Sequence, residues 1–183
     1  MSPWRLRNAM LGNVYALIDP FVRLCLLNAK PQDLPASALL LGTTLGAYLL
    51  MSALTAAPVY DAALSIVAAF IDVGLLAGYA WIALHSRAHA ERYVQTLSAL
   101  AGCGVVVGAL SLPLMHLIYQ SGELGGGDAL LFVQLLILVW LLVIYGHIYR
   151  HALSTGLFIG VLVSLGWIFL TSLFIQALFP LPA

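Results

Sequence analysis

The chain has 183 residues, of which 63% are hydrophobic and 8% charged, with a mean hydropathy of +1.05. A soluble domain carries about 25% charged residues, so this chain cannot clothe a globular surface in polar groups and its solvent is mainly lipid. Its net charge is zero, which removes the electrostatic basis for binding nucleic acid.

The N-terminal residues 1–35 form a polar, partly amphipathic region. Arg5 and Arg7 precede a short apolar run, but Asp19 and Pro20 break it, so a cleavable signal peptide is not expected. Within VYALIDPFVRLCLLNA, residues Phe21, Leu24, Cys25 and Leu27 share one helical face, with Arg23 and Lys30 off it. The pattern predicts an amphipathic helix lying on the cytoplasmic leaflet. The alternative is a soluble cap folded over the helix ends.

Residues 36–183 then read as a five-helix transmembrane domain. A span needs roughly 20 apolar residues, and five stretches qualify, at about 36–56, 59–84, 94–119, 129–149 and 154–179. The expected fold is an all-α polytopic membrane protein. Arg5, Arg7, Arg23 and Lys30 precede the first span, Arg87 and Arg92 follow the second, and Arg150 follows the fourth. The opposite loops hold only Asp61, Glu123 and Asp128. All seven basic residues therefore fall on one side. The positive-inside rule makes that side cytoplasmic, which predicts a bacterial inner-membrane protein with its N-terminus inside and its C-terminus in the periplasm.

Glycines recur four residues apart in four spans: Gly42 and Gly46, Gly74 and Gly78, Gly104 and Gly108, and Gly156 and Gly160, the last extended by Ser164. Small residues at this spacing let helix backbones approach closely in lipid. The pattern favours tight packing and leaves open whether the neighbour belongs to the same chain, a homo-oligomer or a membrane-protein partner.

Asp72 falls near the middle of the second span, where a charged side chain costs about 2.5–3.5 kcal/mol on insertion scales. It should therefore face the bundle interior. No Lys or Arg lies at its depth, so its partner must be a neutral donor, with Thr43, Thr44, Tyr79, Ser98, Ser111, Gln134, Trp140 and Ser164 as candidates. Without a cation the neutral carboxyl is cheaper than the carboxylate. One reading is a proton-binding or substrate-binding group. The simpler reading, a neutral carboxyl hydrogen-bonded across helices, is favoured because transporters carry more than one such residue.

His116 follows Pro113 near the outer end of the third span, where a proline bend could open a small cavity; an interfacial position is the plainer reading. His85, His89, His147 and His151 lie with the cytoplasmic arginines. They suit solvated loop ends better than a metal or anion site. SGELGGGD, residues 121–128, reads as a flexible outer turn. Cys25 and Cys103 fall in different settings, one amphipathic and one apolar, and are expected to be small buried hydrophobes, not a disulfide. No catalytic, cofactor or metal-binding motif is present, so no catalytic residue, cofactor or metal is expected.

The DP step at Asp19 and Pro20, the five closely spaced spans, the late proline in YVQTLSALAGCGVVVGALSLPLMHLI, Trp140 and the short basic loop at Arg150 resemble the Yip family of integral membrane proteins in its bacterial branch. The resemblance implies a five-span helical fold, no catalytic residues, and a non-enzymatic role in organising the membrane or partner proteins. The long polar N-terminus of eukaryotic members is missing here. Two further functions compete with that role: a small transporter or channel using Asp72, and a membrane enzyme acting on lipid.

Overall fold

A computed structural model describes residues 18–121 and 127–179. The reading of Arg5 and Arg7 and most of the SGELGGGD turn lie outside them. Among the described residues there is no strand, and five helices are long and apolar enough to cross a membrane. The chain is an integral membrane protein of the all-α polytopic class. We label as α1 the helical residues 18–25, followed by α2 (Ala38–Ala56), α3 (Ala62–His85), α4 (Tyr93–Ser121), α5 (Gly127–Ala152) and α6 (Leu157–Leu178). The expected spans agree with α2–α6 to within three residues at each end.

Local chemistry sets the ends. Ser37 and Asp61 cap α2 and α3, their side-chain oxygens accepting from the backbone N–H groups of Leu40 and Leu64. At the basic end, α1, α3 and α5 each terminate on a left-handed residue: Leu27 at φ 62°, Ala88 at 57° and Ser154 at 53°. Asn28, His89 and Thr155 then donate back to the carbonyls of Arg23, Leu84 and Arg150, closing each helix as a Schellman turn. None of the three is glycine. Pro113 is accommodated inside α4, which continues through it to Ser121.

α4 packs against α2 and α5; α3 adds to α2, and α6 adds to α5. α3 and α6 meet more sparsely, held by the Tyr79 hydroxyl, which donates to the Val163 carbonyl at 2.8 Å. In the basic half, every residue from 96 to 104 on α4 and from 144 to 149 on α5 is buried. The fourth side of that core is closed by the N-terminal segment. Phe21 lies directly over Gly102, and Cys25 adjoins Cys103.

The amphipathic face of α1 thus forms as the sequence predicts, with Phe21, Leu24 and Cys25 all buried, but it packs on α4 and α5. Leu27 leaves that face because the helix ends there, and it is exposed. Beyond α1 the backbone is irregular, and its carbonyls are met by donors from the spans. Trp140 Nε1 donates to Cys25 O at 3.2 Å, and Gln95 Nε2 to Leu34 O at 2.7 Å. His147 Nε2 lies 2.9 Å from Ala29 O. Irregular backbone survives beside membrane helices only where protein satisfies it in this way. The two thiols, placed in different settings by the sequence, in fact meet because α1 docks at the level of Cys103. Both are free.

The glycine pairs divide. A Cβ on Gly104 would strike Tyr48, one on Gly108 would strike Met51, and one on Gly160 would strike the Gly146 carbonyl. Ser164 is fully buried on the same α6 face, and its hydroxyl reaches Leu142 O on α5. Gly42, Gly46, Gly74 and Gly78 are exposed and have open space above them, and Gly156 is the N-cap of α6.

Candidate functional site: a cavity with Asp72 at its floor

Packing changes character beyond residue 104 of α4. In the half away from the basic residues the helices separate around a cavity of about 530 Å³, and a second of about 220 Å³ adjoins it. Both are lined by Ser52, Thr55, Asp72, Met115 and Leu141. The larger runs from Asp72 to Val59 and Tyr60 in the α2–α3 loop and to Gln176 near the end of α6. At that end the Tyr60 hydroxyl donates to the Phe179 carbonyl at 3.3 Å, and the two rings sit 5.9 Å apart. This contact straps the loop to the α6 terminus across one edge of the mouth.

Asp72 lies about 15 Å along α3 from Ala62, given the ordinary helical rise. Its carboxyl accepts from the Ser52 hydroxyl at 2.9 Å, and the Tyr48 hydroxyl is its second partner. Tyr48 and Ser52 stand one turn apart on α2, so a single helix face presents both donors. Tyr145 adjoins Tyr48, and its own hydroxyl donates to Leu100 O at 3.0 Å. The string of hydroxyls beneath Asp72 therefore ends on a backbone carbonyl within the closed half.

Among the described residues, three that line the cavities carry a buried side-chain atom without a hydrogen-bond partner: Gln134 Oε1, Trp167 Nε1 and Thr171 Oγ1. Trp167 is only 6% exposed. A buried donor or acceptor left unmade costs about 1–3 kcal/mol, so the packing around these walls is incomplete.

Among the expected partners of Asp72, Ser111 and Gln134 line the smaller cavity with it. The others are engaged elsewhere. Thr43 and Thr44 donate to Leu40 O and Ser98 to Val94 O, each within its own helix. Tyr79, Trp140 and Ser164 reach the carbonyls of Val163, Cys25 and Leu142. Hydroxyls in an apolar helix find the carbonyl one turn back more readily than a distant side chain.

His116 is exposed and lies outside the cavity, whose wall at that turn is Met115. The histidines also separate. His85 stacks on Trp81 at 4.8 Å, and His89 lies 3.6 Å from Glu91. Only His147 and His151 come together, at 4.7 Å between ring centres. Among the described residues no group of His, Cys, Asp or Glu is arranged to hold a metal ion. No protein-family model, curated protein or solved structure matches the chain.

Proposed function

We propose that the protein binds a small cationic solute, such as a protonated amine or a hydrated monovalent ion, in the outer-half cavity, with Asp72 as its anchor. The observation that carries this reading is the Asp72 carboxyl at the floor of a 530 Å³ space with otherwise neutral walls. The chemistry selects a cation. The site has one carboxyl, no Lys or Arg among its lining residues, and aromatic rings from Tyr60 and Trp167 that attract positive charge on their faces. The α2–α3 loop at the mouth adds Asp61, next to Tyr60. The closed half below Tyr145 makes this a blind pocket and not an open pore, so transport would require the basic half to open. The cavity is the reason for preferring this reading to a carboxyl that only joins two helices.

In this reading the protein sits in a bacterial inner membrane, with the basic end in the cytoplasm and the cavity opening to the periplasm. Tryptophan fluorescence titrated with tetramethylammonium and with ethylammonium tests it. Wild type should saturate, Asp72→Asn should fold normally and lose the response, and Trp167→Phe should bind with a reduced signal. Equal responses from wild type and Asp72→Asn would reject the proposal.

A second reading, that of a non-enzymatic organiser of membrane partners as the Yip resemblance implies, draws on Gly42, Gly46, Gly74 and Gly78. These face outwards with nothing against them, on two helices that pack side by side. Light scattering of wild type against Gly46→Leu and Gly78→Leu in detergent separates this from the first reading, since only an assembly through that face would change mass.

A further inference from the structure

The basic end holds a second pocket, of about 220 Å³, between the turn at residues 27–33 and the last turn of α5. Its charged and titratable side chains are Lys30, Arg150, His147, His151 and Asp33. The one acid is already committed: Asp33 Oδ2 accepts from the Lys30 backbone N–H at 2.8 Å. Among the described residues neither the Lys30 ammonium nor the Arg150 guanidinium has a carboxylate partner.

The local geometry orients Arg150. Arg150 Nε donates to His151 Nε2 at 3.2 Å, which fixes the plane of the guanidinium and leaves its terminal nitrogens for another acceptor. His147 is held by Ala29 O, so the turn and the helix end are fastened to each other. A helix C-terminus ordinarily repels anions through its exposed carbonyls. Here those carbonyls are covered: Arg92 donates to His151 O and Ala152 O at 3.2 and 3.1 Å, and Gln32 Nε2 to His151 O at 2.8 Å.

We propose that this pocket binds a phosphate group through Lys30 and Arg150. Two cations without a carboxylate partner, one a point charge and one a planar fork, line a space whose single acid, Asp33, is turned to the Lys30 backbone N–H, and that excess of positive charge suits a tetrahedral oxyanion. The pocket lies at the end of a membrane span, where a basic recess between helices meets lipid headgroups. The phosphate can come from an anionic lipid or from solution.

The test uses the full chain in neutral detergent, with thermal melting and native mass spectrometry as readouts. One arm adds phosphatidylglycerol against phosphatidylcholine, and the other titrates inorganic phosphate against chloride at matched ionic strength. Retention of phosphatidylglycerol, or a phosphate-specific rise in melting temperature, is expected in wild type. Lys30→Gln with Arg150→Gln should weaken it about tenfold or more. Lys30 is exposed, so Lys30→Gln alone keeps the test available if the double variant does not fold. Arg87→Gln, outside the pocket, should behave as wild type. A response in the lipid arm alone identifies a headgroup site, and one in both arms a general phosphate site. Binding unchanged in Lys30→Gln and the double variant, or absent from both arms in wild type, would overturn the proposal.

Discussion

The Ser52 hydroxyl donates to the Asp72 carboxyl at 2.9 Å, so a polar contact between α2 and α3 also lies at the floor of the cavity. The contact is local and its energy is small. Interhelical hydrogen bonds of this kind average about 0.6 kcal/mol and reach about 1.7 kcal/mol. Ser52→Ala should therefore lower thermal stability only slightly while altering cation binding at Asp72. A large loss of stability, measured by melting in detergent, would make the pair a structural clasp.

Gly160 and Gly42 look alike in sequence and should behave oppositely. A side chain at Gly160 meets the backbone of α5, which cannot turn aside, whereas Gly42 faces open space. Gly160→Val should destabilise by about 3 kcal/mol or more, at the upper end of overpacking costs. Gly42→Ala should be neutral or slightly stabilising, since alanine is the better helix former by about 1 kcal/mol. Reversible unfolding in mixed micelles compares the two.

Ala88 holds a left-handed conformation at φ 57° to close α3. That conformation costs an L-residue roughly 1–2 kcal/mol, and glycine gives back about 0.5–1 kcal/mol of it in chain entropy. Ala88→Gly should raise stability by up to about 1 kcal/mol. A lower melting temperature would mean that the turn is relaxed in solution.

Arg92 donates through one nitrogen to His151 O, Ala152 O and the Ser154 hydroxyl, at 3.2, 3.1 and 2.7 Å. Arg92→Ala leaves Ala152 O without its side-chain donor, with Gln32 still on His151 O, and should cost about 1–3 kcal/mol. Lysine has the charge without the fork, so Arg92→Lys should recover only part of the loss. Amide exchange at Thr155 and Leu153, whose N–H groups close this turn, reports the fraying directly.

Cys25 is 2% exposed and Cys103 is fully buried, and they lie against each other where α1 packs on α4. Maleimide should leave both unmodified in the folded protein. Phe21→Ala, which removes the ring over Gly102, should expose Cys103 to labelling before global unfolding.

The spans were readable because lipid fixes their length and leaves composition as the signal. The amphipathic face of α1 was readable too, down to Phe21, Leu24 and Cys25. What covers that face was not, since an apolar stripe reads the same whether lipid or α4 lies against it. The partners of Asp72 depended on how far α2 slides along α3, which no single helix encodes. Tyr48 and Ser52 nonetheless carried a usable sign: two hydroxyl side chains one turn apart on an apolar helix, with Thr55 continuing the same side. The glycine pairs could not be sorted at all, because spacing says that a helix can be approached closely and not from which direction.

The change of packing along α4 sets two regimes of sequence tolerance on a single helix. From Thr96 to Gly104 every side chain is enclosed, so that stretch should accept only isosteric or smaller replacements. Past Gly108, where a Cβ would still meet Met51, the helix borders a cavity and an open flank, where larger apolar residues have room. A saturation library of α4 scored for folded yield would show a step and not a gradient, and the step would fall just past Gly108, beside the smaller cavity.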